Sequence, residues 1–409
     1  MGRSRRESRP AGRGPGGGRL REAVAGAYLV AQMQVRQTWR HRRHRIAVGA
    51  WIAATYLLLA LGWTATGGTA GVLLALVSFG SLSAGLCVAP AVAATRLARE
   101  RETGILPFLQ VSGVRPGGLA AGAWCTGIAV PAAVLLATLP ALGVATYLDE
   151  SGWAPLAQSL AAHAAAIGAV AGLAVLCASW TRTRLAALSL AYVGVTVLAV
   201  GTLVAYALAS SATAETARLP VRVAAAVAAV ETPADGTADA SAAAPTAAPG
   251  TTPTVSDPDE DGCVVVTQDV VRFRPDRVWG FLALNPYVVL ADALPGRGGT
   301  LDSAGQPRTT PVEALSTAIR QTRMPPGEAV VENCVRRSAQ ARAQDAALAS
   351  PTGGPVWPLG VGALSGIGAL ALWLAARSLR TPADRVGRAP SPRLRALRQR
   401  LSWRRRTQE

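Results

Sequence analysis

Residues 96–117 read RLARERETGILPFLQVSGVRPG, a charged segment between two long apolar ones. The segment holds four arginines and two glutamates. At the centre of a bilayer each of these charges would cost about 2.5–3.5 kcal/mol or more. The segment is therefore predicted to form a loop in water or among lipid headgroups, and its net positive charge favours the cytoplasmic side of a membrane.

Half of the residues in this 409-residue chain are apolar, and they are concentrated in long blocks. A membrane-spanning helix needs roughly twenty consecutive apolar residues. Six blocks meet that length: 46–66, 71–95, 118–147, 155–180, 185–210 and 357–376. The sequence therefore predicts an all-α fold, a polytopic membrane bundle of six transmembrane helices. The first five fill residues 46–210, and Pro131 and Pro140 are expected to kink or extend the third.

The connections between these blocks alternate in charge along the chain. Residues 1–45 carry twelve arginines and two glutamates, and residues 377–409 carry eleven arginines and two acids. The 96–117 segment and the turn with Arg182 and Arg184 are also positive, whereas the connections between them are neutral or acidic. Positively charged loops stay on the cytoplasmic side. We therefore expect a multi-pass protein of the plasma membrane with both termini in the cytoplasm.

The run from Arg99 to Leu106, RERETGIL, resembles the first cytoplasmic loop of bacterial ABC transporter permease subunits of the type-two exporter class (ABC-2 type). In that family the usual loop, Glu-Arg-Glu-x-Gly-Thr-Leu-Glu, contacts the ATPase subunit. This chain departs from the family pattern at Ile105, where Thr is usual, and at Pro107, where an acidic residue is usual. The resemblance covers most of the chain except residues 211–356.

The resemblance implies that the 96–113 part of the loop couples to an ATPase. Its charges would pair with the ATPase surface, and Gly104 would permit a tight turn. Pro107 is placed to begin a short apolar helix that ends at Gly113. The coupling residues implied in this way are Arg99, Glu100, Arg101, Glu102, Gly104, Pro107 and Phe108.

The resemblance further implies the permease subunit of an ATP-driven exporter, in which two bundles, identical or paralogous, form a substrate path in the lipid bilayer. No lysine occurs in the chain, so it cannot hold the Gly-x-x-x-x-Gly-Lys motif of an ATP-binding cassette. ATP hydrolysis is expected on a separate ABC ATPase subunit, and the chain itself is expected to be no enzyme and to bind no cofactor. The alternative is a non-transporting membrane scaffold or sensor with an extracytoplasmic binding loop. An intramembrane enzyme would need an acidic or His/Ser/Asp cluster that the spans lack.

Residues 211–356 are predicted to form a large, partly disordered extracytoplasmic insertion before the last helix. Its 224–256 part is low in complexity and is expected to be disordered. Order is expected to resume with a short strand at Cys263. The 279–294 part is expected to be interfacial or re-entrant, with a seventh span as the alternative. Cys263 and Cys334 are expected to form a disulfide, with two free thiols as the alternative.

Both chain ends are rich in arginine. Residues 1–18 are expected to be disordered, and residues 19–45 to form an amphipathic interfacial helix or a cytoplasmic extension of the first span. Residues 377–409 are expected to form a basic cytoplasmic tail. These arginines are expected to bind anionic headgroups rather than nucleic acid, because no base-reading module accompanies them. Since the first apolar block begins at residue 46, no cleavable signal is expected.

Small residues crowd the fourth span at 161–172, which favours close helix packing. His163 in the same span has no acidic or cysteine partner in any span, so a hydrogen bond to a neighbouring helix is expected rather than catalysis or metal binding. Cys87, Cys125 and Cys177 lie in separate spans and are expected to be small core side chains. No metal-ligand spacing occurs in the sequence.

Overall fold

The computed structural model describes eight stretches of the chain. They are residues 42–65, 70–103, 116–148, 152–224, 263–294, 311–325, 331–332 and 353–380. Several sequence predictions fall outside them, namely the disordered tail at 1–18, most of the interfacial helix at 19–45, nearly all of the low-complexity part at 224–256, and most of the tail at 377–409.

Long helices dominate the described residues. The first five are α1 (Arg42–Ala65), α2 (Ala70–Glu102), α3 (Pro116–Leu148), α4 (Trp153–Trp180) and α5 (Arg184–Ala212), in which Val197–Gly201 is a π-helical segment. The insertion then contributes β1 (Glu215–Ala224), β2 (Cys263–Arg272), a 3-10 turn (Pro275–Arg277), α6 (Gly280–Ala283), α7 (Pro286–Ala293), α8 (Pro311–Gln321) and β3 (Val331–Glu332). The last described helix is α9 (Trp357–Ser378).

Five of the described helices, α2, α3, α4, α5 and α9, are long and apolar enough to cross a membrane. This indicates a helical membrane protein, as the sequence predicted. The first predicted span, 46–66, coincides with α1 up to Ala65, but the apolar part of α1, Val48–Thr64, is shorter than the other five helices. The sixth span therefore remains a prediction.

The charged motif at the end of α2 is helical, which corrects the prediction of a loop from residue 96. The helix continues to Glu102 because Arg96, Leu97 and Ala98 are good helix formers and neither glycine nor proline lies between Arg96 and Thr103. Arg99 and Arg101 in its last turn also interact favourably with the negative end of the helix dipole. Any loop therefore starts only beyond residue 102.

The helix α4 is the centre of the bundle and packs against α2, α3, α5, α7 and α9. Its backbone lies directly against that of α9. A Cβ atom added to Gly172 would lie 2.8 Å from the carbonyl oxygen of Gly368, and one added to Gly368 would lie 3.1 Å from the Cα atom of Ala169. The close packing predicted from the small residues of the fourth span is therefore confirmed.

The insertion holds a three-stranded sheet of order β2-β1-β3, where the sequence predicted only one short strand from Cys263. β1 and β2 form an antiparallel ribbon that pairs Glu215 with Arg272 at one end and Ala224 with Cys263 at the other. Val221, Val264 and Val266 are buried together on one face of it. β1 was not predicted, although Leu219, Val221 and Val223 recur at every second position, as on the buried face of a strand.

Ion pairs hold the base of this ribbon. Glu215 Oε1 lies 2.8 Å from Arg272 Nη2 and 2.9 Å from Arg274 Nη1, and Arg274 Nε lies 2.9 Å from Asp276 Oδ1. The hydrogen bonds from Arg274 and Arg272 hold the pKa of Glu215 below its usual range, and Arg274 does the same for the pKa of Asp276. These pairs therefore stabilise the ribbon at all pH values above the ordinary carboxyl range, and they weaken as the pH falls through the lowered pKa values.

We expect Gly172→Ala to lower the melting temperature of the detergent-solubilised chain, because the added methyl group meets the backbone of α9. The loss of stability should be about 1–3 kcal/mol, as is typical of overpacking. The measurement is a thermal scan read out by size-exclusion chromatography.

The matched control for this prediction is Gly366→Ala. Gly366 also lies in α9, but a Cβ atom there meets nothing within 4 Å. Alanine is a better helix former than glycine, so this control should be as stable as the original chain or slightly more stable. Equal melting temperatures for the two variants would contradict the close α4–α9 packing.

Candidate functional site

The ends of four helices lie together at one end of the bundle, which we call the arginine end. It comprises the C-terminal turns of α2, α4 and α9 and the first turn of α5. Arg101 Nη1 donates to the carbonyl oxygen of Thr181 at 2.9 Å, and Glu102 Oε1 accepts from the backbone N–H of Arg184 at 2.8 Å. Ser378 donates to Ser179 Oγ at 2.7 Å. The described parts of three of the four arginine-bearing segments, at 96–103, 182–184 and 377–380, are thus at the same end of the bundle.

Glu102 lies at the N-terminus of α5, where backbone N–H groups lack partners within the helix. Thr183 is the N-cap residue of α5 and accepts from the N–H of Ala186, while Glu102 accepts from Arg184. A carboxylate is also favourable there because of the helix dipole. Two hydrogen bonds therefore join the end of α2 to the turn between α4 and α5. Arg101 makes one of them and Glu102 makes the other.

The structure describes four of the seven predicted coupling residues. Arg99 and Glu102 are exposed, and Glu100 and Arg101 are half-buried. Arg101 and Glu102 are brought together against the α4–α5 turn, which the sequence did not predict. Gly104, Pro107 and Phe108 lie outside the described residues.

The opposite end of the bundle, which we call the cap end, carries the ribbon and the helices α6, α7 and α8. Its central residue is Asp292 in α7, whose side chain is fully buried. Asp292 Oδ2 accepts from the backbone N–H groups of Val356 and Trp357, at 2.6 and 2.8 Å, and so caps the first turn of α9. Arg320 of α8 donates to Asp292 Oδ1 at 2.7 Å. One carboxylate therefore ties α7, α8 and α9 together.

Asn285 joins the cap to the π-helical segment of α5. Its Nδ2 group donates to the carbonyl oxygen of Ala199 at 2.7 Å and to Thr202 Oγ1 at 2.9 Å. Its Oδ1 accepts from the N–H groups of Tyr287 and Val288 and thereby caps α7. All four hydrogen-bonding positions of this buried amide are used. In a π segment the backbone hydrogen bonds depart from the regular α-helical pattern. Asn285 supplies a donor to one carbonyl group of this segment, that of Ala199.

The 279–294 part, predicted to be interfacial or re-entrant, forms the helices α6 and α7. α7 packs against α2, α4, α8 and α9, and its residues Val289, Leu290 and Ala291 are fully buried. It is thus inserted among the long helices rather than lying on them. The apolar residues around Leu290 could have been predicted to be buried. The hydrogen bonds of Asn285 and Asp292 could not, because their partners are distant in the sequence and no motif connects them.

The predicted hydrogen bond of His163 to a neighbouring helix is confirmed. His163 is fully buried, and its Nε2 lies 3.0 Å from Ser81 Oγ and 3.1 Å from the carbonyl oxygen of Ser78, both in α2. Its Nδ1 lies 2.7 Å from the carbonyl oxygen of Ser159. Both ring nitrogens therefore have hydrogen-bonding partners, one within α4 and one across the contact with α2. Within the described residues, no three of the side chains of His, Cys, Asp and Glu are grouped as a metal site would require.

Cys177 is buried as the sequence predicted, whereas Cys125 is half-buried and Cys87 is exposed, which corrects the prediction that all three are core side chains. Cys263 is disulfide-bonded, and Cys87, Cys125 and Cys177 are free thiols. The predicted partner, Cys334, lies outside the described residues, so the pairing stays a prediction.

Comparison with protein-family models, with curated proteins and with solved structures gives no match for this chain. The functional assignment therefore depends on the residues and their geometry.

We expect Asp292→Asn to destabilise the protein by about 2 kcal/mol, because it leaves Arg320 without its buried counter-ion and weakens the cap of α9. The measurement is the melting temperature in detergent, read out by size-exclusion chromatography.

The control is Asp269→Asn, in the same insertion. Asp269 pairs with Arg218 at 3.3 Å, but both side chains are 61% exposed. An exposed pair contributes little, so this variant should stay within about 0.5 kcal/mol of the original chain. If both variants melted alike, Asp292 would not be the central contact of the cap.

Proposed function

We propose that this chain is the membrane-spanning permease subunit of an ATP-driven ABC exporter, coupled to a separate ATPase through the 96–113 segment. The observation that supports the proposal most is the double connection between the end of α2 and the α4–α5 turn. Arg101 and Glu102, two of the residues that resemble the coupling motif, bind the backbone of that turn. A force applied to this segment would therefore act on three long helices at once.

The packing behind these bonds supports the same mechanism. Leu97 and Ala98 near the end of α2 are buried in one apolar cluster with Val175 of α4, Ala187 of α5 and Ala375 of α9. Close-packed clusters of this kind move as units rather than deforming gradually. Closure of the ATPases would thus displace the arginine end as a rigid body and convert the bundle between inward-open and outward-open states.

The partner surface would be the exposed face of the α2 end and the residues that follow it. Arg99 is exposed, whereas Arg101 and Glu102 already have partners within the chain. Arg99 is therefore proposed as a direct contact to the ATPase, with Arg101 and Glu102 transmitting the movement. A second copy or a paralogue would complete the substrate path, and the apolar spans suit an apolar or amphipathic substrate.

We expect an ATP-binding subunit to co-purify with the tagged full-length chain from native membranes in mild detergent. Labelling with photoreactive ATP and mass spectrometry would identify it. Arg99→Glu should reduce the recovery of the ATP-binding subunit several-fold. The new carboxylate would repel the negatively charged group on the ATPase that Arg99 is proposed to contact. Arg218→Glu is the control, because Arg218 is an equally charged and exposed residue of the ribbon at the other end of the bundle.

Recovery of no ATP-binding protein with the original chain would contradict the proposal and favour the scaffold or sensor instead. Equal losses with Arg99→Glu and Arg218→Glu would contradict the assignment of the coupling surface alone. Melting temperatures of both variants would show that the fold is kept.

A further inference from the structure

The helix α1 packs against α2 and α3. Near its C-terminal end α1 touches α2, since an added Cβ atom at Gly62 would collide with the side chain of Leu73. The cavity between α1 and α2, which we call the α1 crevice, is lined by Trp51, Thr55, Leu59, Leu73, Leu76, Val77, Gly80 and Ser81.

A wider cavity of about 530 Å³ adjoins the crevice on the side of α3. Leu59 and Leu73 line both cavities, so the two lie side by side. The remaining lining residues of the wider cavity are Tyr56, Ala60, Trp63, Val144 and Ala145. Its volume is within the range of ordinary small-molecule sites, about 300–1,000 Å³.

The lining is apolar apart from a few neutral groups, and none of the residues around either cavity carries a charge. One of the neutral groups lacks a partner. Trp51 Nε1 is buried, and no described residue accepts a hydrogen bond from it. The hydroxyl of Thr55 donates to the Trp51 carbonyl oxygen at 2.9 Å rather than serving the indole. Buried donors without an acceptor are rare in folded proteins, and such a donor in a cavity is a place where a ligand oxygen would bind.

We propose that the α1 crevice binds a lipid-like molecule, with one long apolar chain and an oxygen atom that accepts from Trp51 Nε1. The apolar lining suits a hydrocarbon chain, and any charged headgroup of the molecule would lie outside the crevice. Trp51 and Trp63 are twelve residues apart, about 18 Å along a helix, which is about the depth of one leaflet of a hydrocarbon core. Leu57 and Leu61 on α1 are more than half exposed, so the space lies beside a surface suited to lipid. The site does not depend on the proposed export function, because such a molecule would bind whether or not it is transported.

The test uses the full-length chain in nanodiscs of phosphatidylcholine that contain a small fraction of phosphatidylcholine with a diazirine in one acyl chain. After illumination, mass spectrometry maps the labelled residues. The reference for bulk lipid is α5, whose Leu203 and Leu208 are exposed. We expect the lining of the crevice to be labelled well above this reference.

Two variants probe the site itself. Gly80→Leu should fill the crevice and reduce its labelling to the level of α5, and the fold should tolerate it because a Cβ atom at Gly80 meets nothing within 4 Å. Gly366→Leu is the matched control in α9 and should change nothing. Trp51→Phe, which removes the unpaired N–H, should reduce labelling about three- to tenfold, as for the loss of one hydrogen bond. Trp63→Phe removes an indole from the wider cavity and should have a smaller effect.

The proposal would be overturned if the crevice were labelled no more than α5 and if neither Gly80→Leu nor Trp51→Phe changed the labelling. That result would mean that the crevice meets only bulk lipid. If Gly80→Leu failed to fold, Trp51→Phe compared with Trp63→Phe would decide. Equal effects of these two tryptophan variants would refute the hydrogen bond to Trp51 and with it the proposed ligand chemistry.

Discussion

The contact between the backbones of α4 and α9, at Gly172 and Gly368, is the constraint on which the rest of the bundle depends. Lipid is as apolar as a leucine side chain, so burial from water cannot drive helices together inside a membrane, and close packing must supply the attraction. Gly172 and Gly368 have no side chains, so the backbones of α4 and α9 can approach each other closely at this point. The long insertion separates α9 from α5 in the sequence, and two further contacts hold α9 in place. Asp292 caps its first turn, and Ser378 binds Ser179 at its end.

The cap is part of the bundle rather than a separate domain. Asn285 satisfies a carbonyl group within the π segment of α5, and Asp292 satisfies the first N–H groups of α9. Unpaired backbone groups are costly wherever water is excluded, so both long helices depend on side chains from the insertion for their irregular parts. The insertion therefore contributes to the stability of α5 and α9, whether or not it also binds an outside partner.

The sequence predicted the helices well because their signal is simple. Long apolar blocks can only be helices in a bilayer, and the small residues of the fourth span predicted its close packing. The sequence failed where partners are distant along the chain. The contact of Asp292 with residues 356 and 357, and that of Asn285 with Ala199, join residues that no local pattern connects. The prediction for the end of α2 was also wrong. The charged residues from Arg96 onwards were taken as the start of a loop, but they are good helix formers and the helix continues to Glu102.

The two ends of the bundle differ in how firmly they are joined. At the cap end the linking bonds of Asp292 and Asn285 are buried, and breaking them would leave polar groups without partners away from water. At the arginine end the bond of Glu102 to Arg184 is exposed and that of Arg101 to Thr181 is half-buried, so water can replace them at little cost. The hydrogen bonds that link the helices are therefore weaker at the arginine end than at the cap end, and the buried apolar cluster around Leu97 and Val175 holds the helices together there.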